Sequence, residues 1–164
     1  MNSKKLFIWG FLFMSVIGTL LHFVYEWSGN NSIVRLFAPW NESTWEHMKL
    51  LFFPMLALVL FLFFKLPEQS PIPVALSIGT LVGLALIPIL FYTYTGVLGF
   101  SVMAIDIAIF YISVLGVFLT GWFLKDNREL ANRRGLLLTC LVILAILFFI
   151  FSYYPPEIGL FQEP

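Results

Sequence analysis

An all-α integral membrane bundle of five transmembrane helices is the fold class this sequence predicts, and three observations carry it. Of 164 residues, 60% are hydrophobic and only 11% charged, whereas a soluble domain carries about 25% charged residues. So little polar surface cannot cover a globule, and the bilayer has to act as solvent. Apolar runs of the length a membrane helix needs, roughly 20 residues, recur along the chain. The basic residues divide unevenly between alternate loops, the signature of a fixed orientation in a membrane.

Each element follows in turn. Lys4 and Lys5 precede an apolar run over about 6–25. No small-residue cleavage site follows it, so it reads as a retained first span and not as a removed signal. The polar, turn-rich residues 26–32 lead to 33–40, a short apolar stretch broken by Pro39. It is too short to cross and is expected to lie in the interface or to re-enter. The second span covers about 42–64, with a kink expected where Pro54 deprives the Leu50 carbonyl of its donor. The proline-rich connector 66–73 leads to a third span over about 74–92. Gly79 and Gly83 give that span the GxxxG spacing that lets a neighbouring helix approach. Residues 92–96 read as a turn. A fourth span covers about 98–124, a hydrophilic loop follows over 125–134, and a fifth span over about 136–153 ends at Pro155 and Pro156. No repeat or second domain interrupts, so residues 1–164 read as one transmembrane domain.

Alternating the loops puts Lys4, Lys5, Lys65, Lys125, Arg128, Arg133 and Arg134 on one side and Arg35 and Lys49 on the other. The positive-inside rule then assigns the N-terminus to the cytoplasm and the C-terminus to the outside of a multi-pass cell-membrane protein. Net charge is zero and no basic stripe exists to neutralise phosphates, so nucleic acid is not an expected partner. Membrane lipids are, and a chain this small leaves room for a homo-oligomer or a membrane partner. The single cysteine, Cys140, cannot form an internal disulfide.

Polar groups concentrate at the outer side of this topology. Asn41, Glu42, Ser43, Glu46, His47 and Lys49 crowd the start of the second span. His22 and Glu26 share a face at the end of the first. At 1.5 Å per residue, His22 is roughly 8 Å from its span's outer end, His47 about 9 Å and Asp106 about 12 Å. Asp106, flanked by apolar residues, has no local partner in sequence, and such intramembrane carboxylates mark a site or a pair. Part of the cluster has a structural explanation: Asn41 is a good N-cap, Ser43 and Glu46 fit a capping box, and Glu46 with Lys49 fits a helix salt bridge. Glu42, Glu46 and Lys49 are expected on one helical face. Capping does not explain His47.

The pattern Phe37-Ala-Pro-x-Asn-Glu-Ser-x-Trp-Glu-His-x-Lys-Leu50, with His22, Tyr25, Trp27, Tyr94, Thr95, Gly96 and Asp106, resembles a family of small bacterial multi-pass membrane proteins known only as a domain of unknown function. The resemblance implies a Gram-positive membrane protein and brings no activity with it. A looser likeness is to membrane hydrolases of the alkaline ceramidase type, which hold zinc with histidines and an aspartate beside a serine. Those have seven spans and a closely spaced histidine pair, so this likeness is an analogy.

Four chemistries fit the cluster. The first is a metal-dependent hydrolase or transferase acting on a lipid or lipid-linked substrate in the outer leaflet. In it His22, His47 and Asp106 hold zinc or another divalent metal, with Glu26 or Glu42 in reach and Glu46 as general base or orienter. Asn41, Lys49, Tyr94 and Thr95 support the site. The second is a metal-free triad of Ser43 as nucleophile, His47 or His22 as base and Asp106 as orienter. The third is proton-coupled transport, and the fourth a non-catalytic module that binds lipid or a partner.

Overall fold

A computed structural model describes residues 3–164. Five long helices follow one another: α1 (Ser3–Trp27), α2 (Thr44–Lys65), α3 (Ile72–Leu98), α4 (Met103–Leu124) and α5 (Arg134–Tyr153). Short 3-10 helices cover Val34–Leu36, Arg128–Arg133 and Gly159–Phe161. Among the described residues there is no strand. Five helices are long and apolar enough to cross a membrane, and the chain is a multi-pass membrane protein. Ile8, Leu12, Val16 and Leu20 recur every four residues on the exposed side of α1. That periodicity gives a lipid-facing stripe.

α2 lies at the centre and contacts α1, α3 and α5. Leu51, Phe52, Met55, Val59 and Leu62 are fully buried along it. α3 and α4 share the largest helix–helix interface. The reason is in two glycines: a Cβ at Gly79 would strike the Val117 carbonyl, and one at Gly83 would come within 2.5 Å of a Val117 methyl and 3.0 Å of the Ser113 carbonyl. The GxxxG spacing therefore brings the backbone of α4 close. α2 runs unbroken through Pro54. The Leu50 carbonyl, which Pro54 cannot serve, faces Gly18 of α1, where a Cβ would lie 2.8 Å from it.

Two boundaries between α3 and α4 differ from the sequence expectation, and together they change where Asp106 lies. Residues 92–96 are helical, not a turn. Thr93 and Thr95 donate their hydroxyls to the Ile89 and Phe91 carbonyls at 2.5 and 2.8 Å, so polar side chains satisfy themselves inside the helix. α3 stops at Gly99, whose φ of +82° a glycine adopts without strain and whose N–H bonds the Thr95 carbonyl at 2.7 Å. Consequently α4 begins at Met103, five residues later than expected.

The stretch between α1 and α2 neither crosses nor forms a helix beyond Val34–Leu36. It folds across the end of the bundle against α2 and α5. Phe37 packs on Phe53 and Phe149 with ring centroids 5.2 and 5.3 Å apart, and Ala38 and Pro39 are buried. The ends of α1, α3 and α5 and the starts of α2 and α4 lie at this same end of the bundle.

Candidate metal centre

The site begins with how α2 starts. Ser43, not Asn41, is the N-cap: its extended backbone precedes Thr44, and its Oγ accepts from the Glu46 N–H at 3.3 Å. Asn41 instead accepts from the Ser43 N–H at 3.1 Å, an Asx turn ahead of the helix. Half of the expected capping box forms, since Glu46 turns away from Ser43. The late start leaves Glu42 outside the helix, so it shares no face with Glu46 and Lys49.

Freed from the helix, Glu42 reaches His47. Its Oε2 is 3.3 Å from His47 Nε2. The other ring nitrogen, Nδ1, is 3.0 Å from the Ser43 carbonyl oxygen. A carbonyl only accepts, so Nδ1 carries the proton and Nε2 of the neutral ring is a bare lone pair. That lone pair faces a carboxylate, and two acceptors face each other only with a proton or a cation between them. A charge-assisted N–H···O bond runs about 2.7–2.9 Å, shorter than the gap found. Two ligand atoms at 2.0–2.1 Å from a tetrahedral ion are about 3.3–3.4 Å apart, which matches it.

His22 completes the group from α1. Its ring lies 5.3 Å from that of His47, tilted by 33°. One donor atom each from His22, Glu42 and His47 falls within 4.8 Å of the others. His22 Nδ1 is buried and has no hydrogen-bond partner among the described residues. An orphaned buried ring nitrogen is costly, and ligation would satisfy it. Two histidines and a carboxylate are a donor set that catalytic zinc sites use, and the Ser43 carbonyl orients His47 as an outer partner does. A pocket of ≈ 110 Å³ opens beside the group, lined by His22, Phe23, Tyr25, Glu26, Pro39, Trp40, Asn41 and Glu42. With a proton in the gap between Glu42 and His47, the bond from His47 holds the Glu42 carboxyl below the usual carboxylate range; partial burial opposes this, and the charges of His47 and His22 add to it.

The remaining expected site residues take other partners or line the pocket. Asp106 is in the first turn of α4, about 4.5 Å from its start, and it has a local partner after all. Tyr94 donates to its Oδ1 and accepts from the Val102 N–H at 3.0 Å. This bond ties the end of α3 to the start of α4, and Glu42 takes the place expected for Asp106. Thr95 bonds only its own helix. Ser43 uses its hydroxyl as the cap and meets His47 through its carbonyl, so no nucleophile–base pair forms. Glu46 is 2% exposed and takes 2.6 Å from Lys49 Nζ and 3.4 Å from the Trp40 N–H on Oε2. Those bonds turn it away from the histidines. Glu26 stays with the site, as part of the pocket wall.

Lys49 is the residue whose surroundings the sequence concealed. It is fully buried, and its three protons go to Glu46 Oε2 at 2.6 Å, the Arg35 carbonyl at 2.9 Å and Ser152 Oγ at 2.5 Å. Arg35 bonds the Ser152 carbonyl at 2.6 Å and lies 3.7 Å over the Trp40 ring. Arg35 was legible as a lone charge in an apolar stretch; nothing in span five singled out Ser152.

The chain belongs to a family of unknown function (DUF6512), whose model matches residues 1–164. This agrees with the resemblance to a family known only as a domain of unknown function. No curated protein matches the chain, and no solved structure matches it.

Proposed function

We propose that this membrane protein is a metal-dependent hydrolase or transferase whose metal is held by His22, Glu42 and His47 and whose substrate is a lipid or lipid-linked molecule. The observation that carries the reading is the three-donor group, with the lone pair of His47 Nε2 facing the Glu42 carboxylate at 3.3 Å. A divalent cation such as zinc with three protein ligands keeps one position for water, which it activates near neutral pH. The chain's own residues then have separate tasks. Ser43 fixes the His47 tautomer through its carbonyl. Glu26, in the adjoining pocket, is the available general base. Phe23, Tyr25 and Trp40 give that pocket an aromatic wall suited to the membrane interface. Seven basic residues toward one side of the bundle against Arg35 and Lys49 toward the other support an outward-facing site in the cell membrane.

The test is metal content and turnover in protein purified in detergent. One divalent ion per chain is expected. His47→Ala is expected to weaken binding by more than the roughly 10–100-fold that an outer partner contributes. Metal-free but folded wild type, still metal-free after incubation with zinc, sinks the reading. Metal held without turnover of lipid esters or phosphodiesters, but with His47-dependent ion uptake into liposomes, replaces the enzyme with the transporter.

A further inference from the structure

The metal ligand Glu42 has a problem that its own contacts do not solve. It is 66% exposed, outside any helix, and a ligand so placed needs its backbone held from elsewhere. Segment 28–43, which carries Glu42 next to its end, is tied down along its length to groups of α2 and α5. Tyr153 donates to the Ser32 carbonyl at 2.8 Å. Lys49 donates to the Arg35 carbonyl at 2.9 Å. Arg35 reaches the Ser152 carbonyl at 2.6 Å and covers Trp40. The Trp40 N–H, two residues before Glu42, donates to Glu46 at 3.4 Å.

A buried lysine and glutamate are weak evidence for stability, because their desolvation offsets their attraction, and apolar replacements of such pairs are often neutral. Here both partners hold backbone groups of the same segment. We infer that the buried pair Lys49–Glu46, with Arg35, is a positioning device that fixes segment 28–43 and so presents Glu42 to the two histidines. The inference rests on the metal reading above. Among the described residues no hydrogen bond or ion pair joins the Lys49 or Glu46 side chain to His22, His47 or Glu42; the pair acts through the Arg35 carbonyl and the Trp40 N–H.

The double variant Glu46→Gln with Lys49→Met separates positioning from stability, because it removes both charges and leaves no unpaired ion. In lipid nanodiscs its helices are expected to keep wild-type hydrogen-exchange protection. Amides of residues 33–42 should exchange at least about tenfold faster, and zinc affinity should fall by roughly 10–100-fold, the range for an outer partner. Ser43→Ala is the comparison that loosens the helix start without touching the pair. It should leave exchange at 33–37 unchanged. Unchanged exchange at 33–42 in a folded double variant overturns the positioning role whether or not metal binds. Faster exchange with unchanged zinc affinity overturns the link to Glu42. A wild type that binds no zinc defeats the metal reading, and the exchange measurement then decides the positioning role on its own. If the double variant does not fold, Arg35→Gln, which leaves the pair intact, is read by the same two measurements.

Discussion

Two acid–base pairs sit within one turn of each other at the start of α2, and they are built in opposite ways. Glu46 and Lys49 are buried, 2.6 Å apart, and every proton of the ammonium has an acceptor. Glu42 and His47 are partly open to solvent, 3.3 Å apart, with a lone pair set against a carboxylate and a second histidine whose Nδ1 bonds nothing among the described residues. The first pair leaves the ammonium no capacity for a ligand. The second has unused donor capacity beside a pocket. Polarity alone made the two look alike; they differ in how fully the nitrogen is bonded, for Glu46 Oε1 is also buried with no partner among the described residues.

The largest way to test that contrast is to break the buried pair on one side only. Lys49→Met strands a carboxylate that is 2% exposed, and removing one partner of a buried pair costs about 3–5 kcal/mol. Denaturant unfolding in detergent should register that loss. The double variant with Glu46→Gln should recover most of it. A single variant as stable as wild type would mean that the Glu46 carboxylate is not held as an ion.

A smaller effect is expected at Asp106, and it sharpens which carboxylate belongs to the centre. Asp106→Asn weakens the bond from Tyr94 and should cost about 1 kcal/mol. Its zinc affinity should change by well under the roughly tenfold that an outer partner contributes. A loss like that of His47→Ala would return Asp106 to the ligand set in place of Glu42.

These cases also show what the sequence could carry. Five spans were legible because a bilayer demands about 20 apolar residues whatever the packing. α5 starts within two residues of its expected position for that reason. The meeting of His22 with His47 was legible from topology, since the end of one helix and the start of the next share a face of the membrane. Glu42 was not. Asn41 and Ser43 are both good caps, and the choice between them decides whether Glu42 joins the face of Glu46 or turns to His47. Asp106 was misjudged through a boundary: threonines that bond their own helix imitated a turn, and the true stop at Gly99 shortened α4. Lys49 takes acceptors 14 and 103 residues away, and no local pattern encodes that pairing.

The smallest expected effect bears on the open pair, and its sign can be fixed in advance. With a proton rather than a metal between them, the bond from His47 holds the Glu42 carboxyl below the usual carboxylate range. A depressed carboxyl stabilises the folded state fully above the ordinary glutamate range, and the contribution fades as pH falls through the lowered value. Glu42→Gln removes it. In chelator, the stability gap between wild type and Glu42→Gln should therefore be present at neutral pH and close below the ordinary glutamate range. It should be small, because Glu42 is 66% exposed and solvent screens such pairs. Saturating zinc makes the same measurement diagnostic. A ligand that binds only the folded state adds stability in proportion to its affinity. If Glu42 is a ligand, zinc widens the neutral-pH gap. If Glu42 merely salt-bridges His47, zinc leaves the gap where chelator had it, and the two pairs on α2 differ in exposure but not in purpose.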